Sequence, residues 1–423
     1  MNIIFFYYNL NIYINNLKWY NLVGDTMKKS NSFIIFLFLF SFITRLIVIL
    51  TINTPIISDF KTMYEASLEL INGTNNYKNS IYFINWAYQM GHVVYQSILL
   101  SVINNVVFLK IINAFNSSLT VVFIYLISKK ISSSTSSKIV SVLYSIFLFP
   151  LLLNTVLTNQ ILPVLLTLIS IYILINLDYE KYIFKSIIIG LILGLANILR
   201  SEGIVIIFSI LLYSIYLIFK KHNKNIFISF VIIFISYMMI FNISSTILIK
   251  TNISTNGLKN MNPTWKFVLG FNYETNGMYS DIDAERYAFN KDESKKIVLE
   301  RLKEYDKIPM LFLKKSKILW LNSDLSWSIG HIQNVKIYNI LSYINQLFII
   351  FFTLLSFVSL FNLKKLDNTQ IITTLILITY FFVYLLIEVM PRYAYSLEVF
   401  QVILSSIGLD FILRKLNNLH TNS

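Results

Sequence analysis

The sequence predicts an all-α polytopic membrane protein, a helical bundle of about ten spans with two extracytoplasmic loops that contain helices. Three observations predict it. Of the 423 residues, 56% are hydrophobic and 13% charged, whereas soluble chains are about 45–50% apolar and about 25% charged. The chain divides into ten apolar stretches, most of them close to the roughly 20 residues that a spanning helix needs. Lysine and arginine cluster beside alternate stretches, as they do where loops face the cytoplasm.

The stretches are 33–52, 106–128, 138–157, 159–177, 185–199, 203–219, 226–248, 337–361, 370–387 and 394–413. Two are short, 185–199 and 203–219, and meet at Arg200-Ser201-Glu202. They form either a hairpin that stops short of crossing or two full spans joined by a buried polar turn. Residues 92–104 predict a half-helix on the outer face. The basic clusters are Lys28/Lys29, Lys129/Lys130/Lys138, Lys181/Lys185, Lys220/Lys221/Lys224, Lys364/Lys365 and Arg414/Lys415. If the spans alternate, all of these share one side, which places both termini in the cytoplasm and loops 53–105 and 250–336 outside. The expected organisation is a membrane module over 27–249 with a catalytic first loop, a helical loop subdomain over 250–336, and C-terminal spans over 337–423. Residues 1–26 read either as a mis-called upstream extension or as part of the chain, since Met27-Lys28-Lys29-Ser30 is a common bacterial start. Phe33–Ile52 is too long for a signal-peptide core and lacks a small-residue cleavage site, so it is a retained anchor.

The net charge of +14 follows from topology. No basic groove with interleaved aromatics points to nucleic acid. Without cysteine there is no disulfide and no thiolate chemistry. His92, His222, His331 and His420 are scattered and match no metal-ligand spacing. Abundant Phe and Tyr suit lipid contact and interfacial belts. Ser132–Ser137 is a polar turn. In the second loop, a helix is expected from Asp292 to about Lys307, with Ile297, Val298, Leu302 and Tyr305 at helical spacing. A second is expected from Pro309 to Trp320, with Lys314, Lys315 and Lys317 toward the lipid headgroups.

Ionisable groups near a bilayer need a cavity or a partner. Arg45, in the first span, is a partner for an acid or phosphate, or a packing arginine on backbone carbonyls. Arg200 is a phosphate ligand, since guanidinium matches phosphate oxygens, or half of a local pair with Glu202. Glu388…Arg392-Tyr393-Ala394-Tyr395 is a cation-and-aromatic platform for an anionic sugar-bearing headgroup, or a snorkelling belt. Asp59, just beyond the first span, is a general base or a helix cap. Trp86, Tyr88 and Gln89 suit sugar contact or an interfacial belt. Gly73 marks a turn. Asp281-x-Asp283 mimics a metal-binding pair in a loop already rich in charge, so a divalent metal has little support.

Together these residues resemble the polytopic glycosyltransferases of the GT-C type. The likeness is to the bacterial relatives of dolichyl-phosphate-mannose protein mannosyltransferases (glycosyltransferase family 39). The pattern comprises the first-span arginine, Pro55…Ser58-Asp59-Phe60…Tyr64…Ala66, Gly73 and Trp86-Ala87-Tyr88-Gln89-Met90-Gly91. It continues with Gly190, Gly194, Asn197, Arg200 and Gly203, then Asn262-Pro263-Thr264-Trp265-Lys266, Gly270 and Glu274–Gly277, and ends at Glu388…Arg392-Tyr393-Ala394-Tyr395. It covers about residues 33–413. The resemblance implies a polyprenyl-phosphate-linked monosaccharide donor and inverting transfer with Asp59 as base. The acceptor's identity does not carry over; the expected site lies outside a bacterial plasma membrane, with Arg45, Arg200, Glu202, Glu388, Arg392, Tyr393 and Tyr395 toward the donor. Tyr64, Trp86, Tyr88, Gln89 and Trp265 then contact the acceptor or loop. Two departures stand out: Phe60 where many relatives carry a second acid, and Asn159-Gln160 where a later acid is expected. The rival readings are a flippase or transporter of polyprenyl-linked saccharides, which predicts internal pseudo-symmetry, and a polysaccharide polymerase or ligase.

Overall fold

The fold is that of a computed structural model, which describes residues 30–177, 181–221, 225–321, 324–361 and 367–421. The expectations for residues 1–26 and for Lys28, Lys29, His222, Lys224, Lys364 and Lys365 fall outside these residues. Helix α1 (Ser30–Thr51) leads into the first loop, with α2 (Ser58–Ile71) and α3 (Met90–Val102). Next come α4 (Val106–Ile131), α5 (Ser134–Ser145), α6 (Leu148–Leu152), α7 (Ile161–Ile175), α8 (Tyr182–Leu199), α9 (Gly203–Lys221) and α10 (Asn225–Lys250). The second loop carries α11 (Trp265–Gly270), α12 (Asp281–Tyr287), α13 (Lys291–Lys303), α14 (Ile308–Leu321) and α15 (Ser326–Ile329). Then follow α16 (Val335–Val358), α17 (Asn368–Leu386) and α18 (Ala394–Thr421). Among the described residues, strand-like pairing is confined to one bridge, Trp86 with Asn260.

Eight of these helices are long and apolar enough to cross a membrane: α1, α4, α8, α9, α10, α16, α17 and α18. The chain is an all-helical, multi-pass membrane protein. The two remaining expected spans depart from a simple crossing, each beside a proline. Over 138–157 the chain is a pair of helices bent by 49°. Pro150 lies in the first turn of α6, and a helix running through from α5 would set its ring against the carbonyl of Ile146, where α5 stops. The stretch 159–177 contains α7, only 15 residues long. Pro163 sits in its first turn, where a missing N–H costs nothing. Ahead of it Thr158, Asn159 and Gln160 are non-helical and buried. The short pair resolves into two full helices of 18 and 19 residues.

Helices α8 and α10 pack backbone to backbone through Gly190-x-x-x-Gly194. A Cβ on Gly190 would lie 2.4 Å from the Ile233 carbonyl oxygen, and one on Gly194 2.0 Å from Ile240 Cγ2. Small residues allow this approach where lipid supplies no hydrophobic drive. Gly190→Val is expected to overpack the contact by about 1–3 kcal/mol and to lower the melting temperature of the detergent-solubilised protein. An unchanged melting temperature would contradict the close approach.

The second loop has an apolar centre of its own, in which Trp265, Val268 and Leu269 of α11 meet Phe271, Val298 and Leu311. Asp283 is buried and takes both Nη atoms of Arg301, each at 2.9 Å, and Asn272 Nδ2 at 2.7 Å. Helix α13 is capped by the Asn290 side chain, which accepts from Glu293 N at 3.2 Å. It ends at Lys303 rather than near Lys307, which lies in the following turn. Helix α14 spans the predicted stretch, but Lys315 does not face the headgroups. It is fully buried, and its Nζ donates to the carbonyls of Gly270 (2.9 Å), Leu385 (2.7 Å) and Ile387 (2.7 Å). The carbonyls that end a helix lack partners within it, so this lysine closes α17 and ties the second loop to the bundle.

Candidate active site

A cavity of about 600 Å³ opens at the loop end of the bundle. Both loops, the α8–α9 turn and the α17–α18 turn contribute to its wall. The described basic clusters, Lys129/Lys130 at the end of α4 and Lys185 near the start of α8, lie at the opposite end of those helices.

Asp59 lines the cavity from the first turn of α2. Ser58 sets its approach with φ +53°, a left-handed conformation that costs a non-glycine residue about 1–3 kcal/mol. Asp59 does not cap α2. The cap position is Ile57, and no side-chain cap bond forms. The carboxylate is half-buried, with no hydrogen bond or ion pair among the described residues.

Arg392 reaches the same cavity from the Pro391–Tyr393 turn. It is 8% exposed, and its Nη1 has no hydrogen-bond partner among the described residues. Its guanidinium carbon lies 4.0 Å from the centre of the Trp327 ring and 5.0 Å from that of Phe60. Gln160 Nε2 donates to its backbone carbonyl at 2.9 Å. No carboxylate pairs with it among the described residues.

The other two cations of the cavity are neutralised. Lys266 pairs with Glu388, which also accepts from Tyr393 OH at 2.9 Å. Burial pulls the Lys266 ammonium down, but Glu388 outweighs it and raises its pKa above the usual lysine value. Arg200 pairs through Nε with Glu202 and donates from Nη1 to Asn159 Oδ1 at 2.9 Å. Glu202 also accepts from Ser396 (2.7 Å), Tyr384 (3.2 Å) and Tyr380 (3.3 Å). Asn159 Nδ2 in turn donates to Gln89 Oε1 at 3.2 Å. An amide thus occupies the place where the resemblance expects an acid, and it links the first loop to Arg200.

Trp86, Tyr88, Gln89, Trp265 and Tyr393 line the cavity as well. Burial raises the pKa of Tyr82 and Tyr88, with the charge of Asp59 adding to the effect, so both phenols stay protonated. Buried His92 is held down at about 3 by burial and then by Arg200, and is neutral at working pH.

Three expected site residues lie outside the cavity wall. Arg45 is fully buried; its Nε donates to Ser117 Oγ at 2.8 Å, and its Nη1 to the Ser41 hydroxyl and to the carbonyls of Ser41 and Ser145. It stands six residues before the end of α1, or about 9 Å down the helix axis. Tyr395 is fully buried in the bundle. Tyr64 packs half-buried against the core. The Asp281/Asp283 pair is split, with Asp281 on the cavity wall and Asp283 committed to Arg301. Tyr82, Tyr279, Trp327 and Tyr384 join the wall without having been singled out in the sequence. Only their aromatic character and loop or span-end positions hinted at it.

The fold is similar to that of a solved oligosaccharyltransferase. The archaeal oligosaccharyltransferase AglB from Archaeoglobus fulgidus, in complex with an inhibitory peptide and a dolichol-phosphate, aligns with a TM-score of 0.54 at 14% identity. The alignment covers 92% of this chain and 51% of AglB, so this protein spans about half the length of its structural neighbour. At that identity the likeness speaks for the fold, which is GT-C-like. No family model and no curated protein sequence matches the chain.

Proposed function

We propose that the protein is an inverting glycosyltransferase of a bacterial plasma membrane. It moves a monosaccharide from a polyprenyl-phosphate-linked donor to the hydroxyl of an extracytoplasmic acceptor, whether glycan, wall polymer, lipid or protein. One observation carries this reading: an uncommitted carboxylate, Asp59, and an uncommitted guanidinium, Arg392, share one cavity. The GT-C-like fold supports it, and AglB was solved with a lipid phosphate of the proposed donor class. The described basic clusters lie away from the cavity, which favours a cytoplasmic location for that end and an extracytoplasmic site.

In this mechanism Asp59 takes the proton of the acceptor hydroxyl as its oxygen bonds to the anomeric carbon. The bond from that carbon to the phosphate oxygen breaks, and the electron pair leaves with the phosphate. Arg392 meets the growing charge in a site of low dielectric. Arg200 and Lys266, each already paired, hold the Glu202 and Glu388 walls. Trp86, Trp265 and Tyr88 offer flat faces and a phenol donor to the sugars.

The test supplies the purified protein in vesicles with a polyprenyl monophosphate carrying a labelled sugar. Loss of label from the lipid, with release of free polyprenyl phosphate and a glycosylated acceptor, is the expected result. Intact lipid-linked sugar crossing to the other leaflet would mark a flippase. Consumption of diphosphate-linked saccharides alone would mark a polymerase or ligase. Either result would overturn the proposal.

A further inference from the structure

We infer that Trp327 is a positioning residue, holding the Arg392 guanidinium with its edge toward the donor phosphate. The inference rests on the glycosyltransferase reading and adds to it a residue outside the expected set.

The geometry is specific. Trp327 lies 4.0 Å beneath the guanidinium carbon, and Phe60 borders it at 5.0 Å. The two rings meet edge to face at 5.7 Å. A guanidinium is planar, and its hydrogen-bond donors lie in that plane. The Trp327 ring against one face excludes water there, Phe60 borders the group from the side, and the in-plane donors away from Phe60 are left to meet an anion. On that edge Arg392 Nη1 is buried and has no hydrogen-bond partner among the described residues. The attraction of a cation to an indole face grows with desolvation; here Arg392 is buried and Trp327 half-buried.

The placement of Trp327 is itself fixed from both loops. Helix α15 carries it, and Asp324 Oδ1 accepts from Ser326 N at 2.8 Å in the turn before. Thr54, at the start of the first loop, donates to the Ser328 carbonyl at 2.6 Å. Phe60 is the neighbour of Asp59 in sequence. The base and the phosphate clamp therefore lean on one aromatic pair, and the second loop supplies half of it.

The experiment uses the full chain in vesicles with the polyprenyl monophosphate-linked sugar and reads kcat and KM for donor and acceptor separately. Site-specific replacement of Trp327 by mono-, di- and trifluorotryptophan weakens the ring face stepwise at nearly constant shape. Each step is expected to lower kcat/KM for the donor, to a total of about tenfold, with the acceptor KM held. Trp327→Phe should fall within the series and Trp327→Leu below it. Competition by sugar-free polyprenyl phosphate should weaken in parallel. An unchanged donor kcat/KM across the fluorinated series, or a change confined to the acceptor KM, would overturn the inference. Failure of the wild-type protein to use the donor would instead overturn the glycosyltransferase reading.

Discussion

Asp59→Asn is expected to lower the rate of sugar transfer by about 10²–10⁴-fold, the usual contribution of a general base. The donor KM should change little, because the amide keeps the shape of the side chain and loses only its basicity. The protein should stay folded, since among the described residues the carboxylate makes no hydrogen bond or ion pair whose loss would disturb α2. The expected product has the opposite anomeric configuration to the donor, because a base acting on the acceptor permits a single displacement. Steady-state rates and NMR of the wild-type product check both. A folded Asn variant with wild-type rates, or a product of retained configuration, would remove Asp59 from this role.

Arg392→Met is expected to cost about 10²–10³-fold in kcat/KM, comparable to losing a donor aimed at a developing anion. Arg392→Lys should recover part of this, since an ammonium keeps the charge and loses the planar fork. Arg200→Met should behave differently. It strands Glu202, which is mostly buried and held on the cavity wall by Tyr380, Tyr384 and Ser396, and breaking a buried pair in this way costs at most about 3–5 kcal/mol. Its dominant effect should be loss of folded protein on size-exclusion chromatography in detergent. Equal kinetic effects in stable Arg200 and Arg392 variants would contradict the division of labour between a paired and an unpaired guanidinium.

Much of the bundle was legible because lipid demands long apolar runs, which soluble folds seldom contain. The bend at Ile146 and the late start of α7 follow from Pro150 and Pro163, which hydropathy alone passes over. Asp59, Arg200, Glu388 and Arg392 stood out because charge beside a span is costly, and the structure gathers them at one cavity. Arg45 looked the same by that criterion. Its bonds to Ser117 and Ser145, 72 and 100 positions away, are tertiary facts with no local signature. Lys315 misled for a similar reason. A lysine on an amphipathic helix reads as solvated until three distant carbonyls turn out to converge on it. Trp327 had no sequence signal that set it apart from an interfacial tryptophan. Its role depends on what the fold brings 4.0 Å away.

The most direct measurement is a cryo-EM structure of the protein with a sugar-free polyprenyl phosphate. The phosphate is expected within hydrogen-bond distance of the Arg392 guanidinium edge, inside the cavity, with Asp59 across open space wide enough for one sugar ring. A phosphate bound away from Arg392, or a cavity in which no sugar ring fits between phosphate and Asp59, would contradict the account.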